Sequence, residues 1–488
     1  MSQAEFSHKS FFQQLKKYYL IYTGGFLVFL IALAIAEQMG MSRKMIGYCF
    51  LFATIGLYAS IGVMSRTVDA AEYYVAGRRV PAFFNGMATG ADWMSAASFI
   101  GMAGTLYLSG FDGLAFVMGW TGGYCLVAFL LAPYLRKFGQ FTIPDFLGER
   151  YGGNIVRSIG IFAAILCSFT YVVAQIYGVG LITSRFTGLE FSIGVFVGLG
   201  GILVCSFLGG MRAVTWTQVA QYIILIIAYM TPVVWLSYKH TGNPIPQIAY
   251  GQALEKVTAK EKLLATDAKE VEVRNIMKAR AATANAGLKD PAAVYAKGKA
   301  DLEQKLADAK TANAPPEQIA AAEKAIAAYP KDEAAAKAQW NKDKGLAARA
   351  VPPKPHATPF VGSGATDEAK QKSSDIARKN FLGIVFCMMI GTAALPHILM
   401  RYYTTPSVRQ ARQSVFWSLF FIFLLYFTAP ALAVLAKYDV YHFLVGSTFA
   451  SLPAWAANWA AVDPTLLSIT DINGDGIVQL AEIVIGGD

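Results

Sequence analysis

Charged side chains are scarce in this sequence, and those present are unevenly distributed. Of the 488 residues, 15% are charged and 55% are hydrophobic, whereas soluble domains have roughly 25% charged residues. The stretch 241–379 holds 23 Lys and Arg and 17 Asp and Glu, which is more than half of all the charges. The shortage of charge elsewhere excludes an ordinary soluble enzyme and favours a protein that crosses a membrane several times.

Cysteine, histidine and catalytic motifs are also sparse. The five cysteines lie in apolar stretches without a CxxC pair, which excludes a disulfide framework and a zinc site. The sequence contains no GxSxG, HExxH or Walker motif, so we do not expect an enzyme. The net charge of +10 is not arranged as a basic stripe interleaved with aromatic residues, so nucleic acid is not expected as a partner.

Apolar runs long enough to span a membrane recur along the chain, and about 18 consecutive residues suffice for one span. We letter the nine runs in order: A, 18–36; B, 45–64; C, 80–110; D, 113–135; E, 158–184; F, 191–211; G, 213–238; H, 381–400; I, 413–436. The sequence therefore predicts an all-α polytopic membrane protein with nine spanning helices.

The distribution of Lys and Arg predicts the orientation, because short cytoplasmic loops are enriched in them. With a cytoplasmic N-terminus, fourteen of these residues lie on the cytoplasmic side and five on the other side, outside the long block. The block 241–379 and the tail 437–488 are then external, and a bacterial inner membrane is the expected location. Segment A has an alternative as a cleaved signal peptide, since Lys16 and Lys17 precede it and an Ala-x-Ala pattern ends it.

The block 241–379 is rich in Ala, Lys and Glu and has few large apolar residues. This composition favours exposed or loosely packed helices, or partial disorder. We interpret the block as a solvated insertion. A docking module for another envelope protein stays open as an alternative.

Segment C combines a charge with small residues near its middle. Asp92 follows Gly90, and Ser95 and Ser98 come soon after. A charge inside a membrane segment almost always faces a cavity or a partner, and small residues allow close packing or local unwinding that exposes carbonyls to a cation. Two interpretations stay open: a binding site, or a tight helix interface in which Asp92 pairs with a loop arginine.

Segment H has a similar interruption, at Gly391-Thr392 and at Pro396-His397. Proline removes a backbone hydrogen bond and frees a carbonyl, and interrupted helices in corresponding positions of two halves indicate a transporter binding site. If A and B are peripheral, C and H are the first and sixth helices of two five-helix inverted repeats. The alternatives are a structural kink at Pro396 and a packed, hydrogen-bonded His397.

The tail contains a twelve-residue stretch that fits an EF-hand loop. Gly476 allows the turn, and the predicted calcium ligands are Asp471, Asn473, Asp475, Ile477, Gln479 and Glu482. The alternative is a surface turn rich in Asx and Gly residues. An external site of this kind suits weak structural binding of calcium better than sensing.

Four stretches resemble the sodium:solute symporter family, most of all its acetate/monocarboxylate permease-like branch. They are EYYVAGRRVPAFFNGMATGADWMSAASFIGMAG, GWTGGYCLVAFLLAPYLRKFGQFTIPDFLGERYGG, GGMRAVTWTQVAQY and LPHILMRYYTTPSVRQAR. The resemblance covers about residues 45–240 and 380–488. It implies a LeuT-type bundle of inverted repeats that imports a small organic anion, such as acetate or another monocarboxylate, together with sodium by alternating access.

The resemblance also implies a site. Sodium would be bound by the backbone carbonyls of Ala91 and Met94. The substrate pocket would comprise Ser98, Gly119, Trp120, Thr121, Gly391, Thr392, Pro396 and His397. Asp92 is typical of this branch and we add it to the predicted pocket, although its role does not follow from the resemblance. Gln218 stands where some relatives have an acidic residue on the ion path, which does not favour a second ion there.

The predicted pocket contains no Lys or Arg. Hydroxyl groups, helix N-termini and bound sodium would therefore attract a carboxylate, and a neutral solute would also be accepted. Proton coupling and a transporter-like sensor or receptor stay open as alternatives. A small membrane subunit is a further partner that the sequence leaves open, in addition to the substrate and the lipid bilayer.

The predicted organisation has five parts: 1–44, an extra N-terminal helix; 45–240, the first repeat of the core; 241–379, the insertion; 380–437, the start of the second repeat; and 438–488, an external loop with the EF-hand-like motif. Family members continue after this loop with an eighth core helix. We therefore expect a C-terminally truncated chain with an incomplete bundle.

Overall fold

The computed structural model describes residues 3–95, 97–312, 314–457 and 467–485, and these are mainly helical. Their α-helices are α1 Gln3–Gln38, α2 Arg43–Met64, α3 Ala70–Val75, α4 Ala82–Trp93, α5 Met102–Ser109, α6 Leu114–Leu126, α7 Ala132–Phe138, α8 Ile143–Tyr151, α9 Asn154–Thr187, α10 Phe191–Thr241, α11 Pro246–Thr266, α12 Ala268–Lys289, α13 Pro291–Thr311, α14 Pro316–Ala328, α15 Glu333–Asp343, α16 Leu346–Arg349, α17 Asp367–Ala393, α18 Pro396–Leu399 and α19 Val408–Asp439. Parts of the predicted N-terminal and tail segments, residues 1–2, 458–466 and 486–488, lie outside the described residues.

Shorter elements join these helices. Five-residue π-helical segments lie at Ala97–Gly101, Val127–Leu131 and Val440–Leu444, and 3₁₀ turns include Ala76–Arg78 and Met400–Thr404. Two strands, β1 Leu467–Ile469 and β2 Ile483–Ile485, pair antiparallel with Ser468 opposite Val484.

The all-α polytopic prediction is confirmed, with fewer spans than the nine predicted. Seven helices in the described residues are long and apolar enough to cross a membrane. Segment C is not one span, because it divides into α4, a π-helical segment and α5. Segment F is continuous with segment G in α10, which bends at Gly210 (φ 49°, ψ −140°). Glycine permits that positive φ, whereas a side chain there would strain the backbone.

The chain forms two compact units, residues 1–255 with 356–437 and residues 256–355 with 438–488. We call them the helical bundle and the Ala/Lys/Glu unit. Within the bundle, α10 packs against α2, α4 and α9, and α6 packs along α17. Glycines make the second contact close: a Cβ on Gly119 would lie 2.5 Å from Cβ of Met388, and one on Gly123 2.7 Å from the carbonyl oxygen of Met389.

The Ala/Lys/Glu unit is helical over most of its described residues, in place of the partial disorder that the composition also allowed. It has small apolar cores, one formed by Val273, Met277 and Ala350 and another by Ala284, Ala336 and Trp340. The buried Glu270 of α12 accepts hydrogen bonds from the backbone amides of Leu480 and Ala481. This part of the insertion and the tail therefore fold together.

Candidate functional site

The first interruption follows α4. Met94 leaves the helical conformation (φ −79°, ψ 63°), and its amide donates to the carbonyls of Gly90 and Ala91 at 3.1 and 3.2 Å. The hydroxyl of Ser98, in the next turn, donates to the carbonyl of Trp93 at 2.8 Å. The predicted unwinding near Ala91–Met94 is therefore present, and it lies two residues after Asp92.

The second interruption follows α17. Leu395 is extended (φ −63°, ψ 116°), and Pro396 begins α18. Proline is suited to the first helical position because its missing amide has no partner to lose there. The chain is therefore broken one residue before Pro396, which agrees with the interruption predicted in segment H.

An ion pair joins the regions of the two interruptions. Arg401 Nε donates to Asp92 Oδ2, and the side chains of Arg401 and Asp92 are only 1% and 8% exposed. Gln218 Nε2 donates to Asp92 Oδ1, and Arg401 Nη1 donates to the hydroxyl of Thr215 at 2.8 Å. Charges this deeply buried need such partners, because desolvation is otherwise uncompensated.

This geometry corrects three sequence expectations. The Lys/Arg distribution places Arg401 among the cytoplasmic loop residues, yet it is buried. The predicted pocket is expected to lack Lys and Arg, yet Arg401 contacts its Asp92. The carboxylate of Asp92 is engaged by Arg401 and Gln218, so it does not offer a free group to a substrate in this conformation; the arginine-pairing interpretation describes it.

A second layer of polar side chains holds Arg401 in place. Asn85 Nδ2 donates to the carbonyl of Arg401 at 3.1 Å and to the hydroxyl of Ser414 at 2.8 Å. Thr404 in turn donates to Asn85 Oδ1 at 3.0 Å. All of these side chains are buried. Sequence reasoning missed them, although an asparagine within a predicted span was a signal.

One buried polar atom beside the ion pair, Oε1 of Gln218, makes no hydrogen bond with the described residues. Buried polar groups are normally paired, because an unmade hydrogen bond costs free energy. An acceptor with unused capacity therefore lies close to Asp92, which is the chemistry that a cation requires.

Comparison with known proteins identifies the family. The family model "Sodium:solute symporter family" matches residues 73–284. A Cupriavidus necator protein described as an uncharacterized symporter is 50% identical over 485 residues, covering 98% of this chain and 70% of its own length. The chain belongs to the sodium:solute symporter family. The family predicted from the sequence motifs is thereby confirmed.

A solved structure of a Na⁺-coupled sialic acid symporter, in a substrate-bound outward-open state, is also similar. It is 15% identical with a TM-score of 0.38, and the match covers 80% of this chain and 81% of that one. The family assignment does not depend on this superposition. As a family member, the chain is a sodium-coupled symporter and a multi-pass membrane protein, and a bacterial inner membrane agrees with the source of the relative.

The other predicted pocket residues of this symporter fall into two groups. His397 lies near the ion pair: its ring is 4.6 Å from that of Tyr171, whose hydroxyl is 3.5 Å from the carbonyl oxygen of Asp92. Gly119 and Thr392 lie in the α6–α17 interface, where Thr392 donates to the carbonyl of Met388.

The remaining predicted pocket residues lie on α6 and α17. Trp120, next to Gly119, has its ring 6.0 Å from that of Tyr426. Gly391 has open space at its Cβ position. Thr121 is half-buried. Their part in a pocket stays a prediction.

The EF-hand-like loop has the expected turn. Asp471 accepts from the amides of Gly474 and Gly476 at 2.7 and 3.0 Å, and Gly476 has a φ of +73°. Gln479 and Glu482 form a capping box at the following 3₁₀ turn. The turn at Gly476 is therefore as the motif predicts, and the calcium ligands stay a prediction.

Other contacts in this loop count against a preformed cation site. Both carboxylate oxygens of Glu482 accept backbone amides, from Ile472 at 2.6 Å and from Gln479 at 3.1 Å. Burial raises the pKa of Glu482, whereas the amide of Ile477 lowers the pKa of Asp475. Within the described ranges, no group of three or more His, Cys, Asp or Glu side chains is arranged to hold a metal ion.

Proposed function

We propose that this symporter imports a small monocarboxylate, such as acetate, with sodium. The main observation in support is that two interrupted helices come together at a buried Asp92–Arg401 pair. Irregular backbone at membrane depth is tolerated only where it is buried in protein or lines a cavity. Such breaks are where secondary transporters bind ions and substrates.

The proposed sodium ligands are the carbonyls of Ala91 and Met94. The carbonyl of Ala91 accepts one weak bond, from Met94 at 3.2 Å, which leaves a second lone pair for a cation. The amide oxygen of Gln218, beside Asp92, is a further oxygen atom near this turn that can face a cation.

The proposed substrate group is a carboxylate. Asp92 and Arg401 neutralise each other, so a sodium ion and a monoanion would enter the site with no net charge. The His397 ring, which packs against Tyr171 beside Asp92, is the proposed hydrogen-bond donor to the carboxylate. Sodium bound at the first interruption and substrate bound between the two interruptions would each raise the affinity of the protein for the other. Their transport would therefore be coupled.

Uptake of labelled acetate into proteoliposomes that contain the full-length gene product tests this proposal. We expect uptake to require an inward sodium gradient and to be inhibited by unlabelled propionate or pyruvate. Uptake driven by a proton gradient in its place would support the proton-coupled alternative. Sodium-independent binding without uptake would support the sensor alternative.

Matched hydroxyl variants test the site. Ser98→Ala and Thr392→Ala should lower uptake, whereas Ser60→Ala and Thr170→Ala should not. Both control hydroxyls donate to the carbonyl four residues earlier, as Thr392 does, but they are exposed. Equal uptake by all four variants would show that the pocket assignment is wrong.

Calcium binding in the tail stays a separate proposal, supported by the motif and by the turn at Gly476. Isothermal titration of the full chain with Ca²⁺, beside the Asp471→Asn variant, tests it. Heat of binding that disappears in the variant would support the site. No heat at millimolar Ca²⁺ would assign the loop to a metal-free turn closed by Gln479 and Glu482.

A further inference from the structure

A cavity of about 770 Å³ lies in the helical bundle, and neither Asp92 nor Arg401 lines it. One wall is formed by the first part of α1, with Leu15 and Tyr18, and another by the end of α2, with Ile61 and Met64. Tyr18 and Met64 are 68% and 81% exposed and belong to helices long and apolar enough to span a membrane. The apolar wall is therefore continuous with a surface that faces lipid.

The rim of this cavity is basic. Arg78, Arg79 and Arg212 line it together with a single acid, Glu72. Glu72 is bonded to Arg79 and lies 3.7 Å from Arg212, so one carboxylate faces two guanidinium groups, and Arg78 adds a third positive charge to the lining. Arg79 and Arg212 keep 72% and 40% of their side chains exposed and can bind a further anion.

The backbone at the rim has an unusual conformation next to these arginines. Ala76, Gly77 and Arg78 have consecutive positive φ values of 51°, 60° and 54°. Non-glycine residues rarely adopt this conformation, and such strain is common at ligand sites. Arg78 is further fixed by donation to the carbonyl of Gly139 and by its position 5.6 Å from the Phe141 ring.

We infer that this cavity is a binding site for an anionic phospholipid, with the headgroup phosphate at Arg79 and Arg212 and an acyl chain along Ile61 and Met64. Basic pockets between membrane helices on the cytoplasmic side are suited to anionic headgroups. The Lys/Arg distribution over the nine predicted segments places Arg78, Arg79 and Arg212 among the fourteen cytoplasmic residues. A soluble anion would use the basic rim but would leave the apolar walls unfilled.

Native mass spectrometry of the delipidated full chain, titrated with phosphatidylglycerol, tests the site. We expect the chain to retain phosphatidylglycerol in preference to phosphatidylcholine. The Arg79→Gln/Arg212→Gln variant should bind it about tenfold more weakly or worse, because each basic residue near a membrane surface favours anionic lipid. The matched control Lys137→Gln/Arg150→Gln removes two exposed basic residues outside the cavity and should bind like the unmodified chain.

Two more measurements distinguish a bound lipid from a soluble anion held by the basic rim alone. Ile61→Trp should fill the apolar wall and weaken retention without changing any charge. Inorganic phosphate at millimolar concentration should not displace the lipid. Equal retention by the unmodified chain and the double variant, equal binding of phosphatidylcholine, or displacement by phosphate would each overturn the proposal; an unchanged melting temperature confirms that a variant is folded.

Discussion

The helical bundle and the Ala/Lys/Glu unit differ in the exposure of their ion pairs. In the bundle, the ion pair of Asp92 and Arg401 is buried, Gln218 donates to Asp92, and Thr215 accepts from Arg401. In the other unit, pairs such as Glu333–Lys337 leave both side chains more than 40% exposed. We therefore expect the removal of a buried charge in the bundle to have a large effect on stability and uptake. The removal of an exposed charge in the other unit should change stability little.

The sharpest test of this comparison is to break the buried pair. Asp92→Asn leaves the Arg401 guanidinium buried without its counter-charge, which typically costs about 3–5 kcal/mol. We expect acetate uptake to fall by roughly a hundredfold or more, because the same loss from the conformation that joins the two interruptions lowers its population by at least two decades. Proteoliposome uptake measures it.

Two controls separate folding from function in that experiment. Glu149→Gln removes an exposed acid and should leave uptake unchanged. The double variant Asp92→Asn/Arg401→Gln removes the lone charge and should recover thermal stability without recovering uptake. Full uptake by the double variant would mean that the pair is only structural.

The second test addresses the apolar cores of the Ala/Lys/Glu unit. Trp340 packs on Gly287, whose Cβ position lies 2.5 Å from the indole ring. Trp340→Ala should destabilise this unit by about 3–5 kcal/mol through lost burial and the cavity left behind. Hydrogen exchange of peptides from α12 and α15 should accelerate, whereas Lys342→Ala should not change it; unchanged exchange in Trp340→Ala would contradict the assigned core.

The third test uses pH. Burial, and then the charge of Lys437, lowers the pKa of His356 to about 4, well below its usual value. Between that pKa and about 6.5 the unfolded chain binds a proton that the folded bundle does not, so stability present above pH 6.5 is lost as the pH falls toward 4. The full loss is about 3 kcal/mol.

Hydrogen exchange around residues 356–366 at pH 7.5 and pH 5 measures this loss. His356→Gln should remove the pH dependence of the protection factors in this segment, which correct for the intrinsic exchange rate at each pH. His442→Gln, at an exposed histidine of the other unit, should leave it intact. The same pH dependence in both variants would contradict the role of His356.

The smallest effect is expected at an exposed pair. Lys337 Nζ lies 3.0 Å from Glu333, four residues earlier on α15. Such pairs stabilise a helix by about 0.5 kcal/mol or less. Lys337→Ala should therefore leave hydrogen exchange in α15 nearly unchanged. A change equivalent to more than about 1 kcal/mol would contradict the expectation that exposed ion pairs contribute little to stability.

Much of the fold was predictable because apolar runs and helix breakers are local signals. Segments A, B, E and G correspond to candidate spans, and the interruption in segment H falls next to the proline that indicated it. Segment C was predicted as one span because a run of apolar residues does not reveal where an unwound turn divides it. The sequence predicts F and G as separate segments, whereas the structure has the single helix α10, because Gly210 bends this helix without ending it.

The candidate site was less predictable because its partners are distant in sequence. Asp92 and Arg401 are 309 residues apart, and Arg401 follows an apolar segment in the manner of a loop residue. Arg401 contacts Asp92 of α4 and Thr215 of α10 only in the folded chain. The asparagine and hydroxyl groups that hold it are individually common in membrane helices and gave no joint pattern.

Helix α17 joins two parts that the sequence assigns to different regions. It begins at Asp367, within the predicted insertion, and continues to Ala393 at the second interruption. A straight helix of this length is a rod of about 40 Å, and the glycines of α6 let its apolar half pack at close range. One continuous helix therefore sets a fixed distance between the polar residues that follow Asp367 and the break before Pro396.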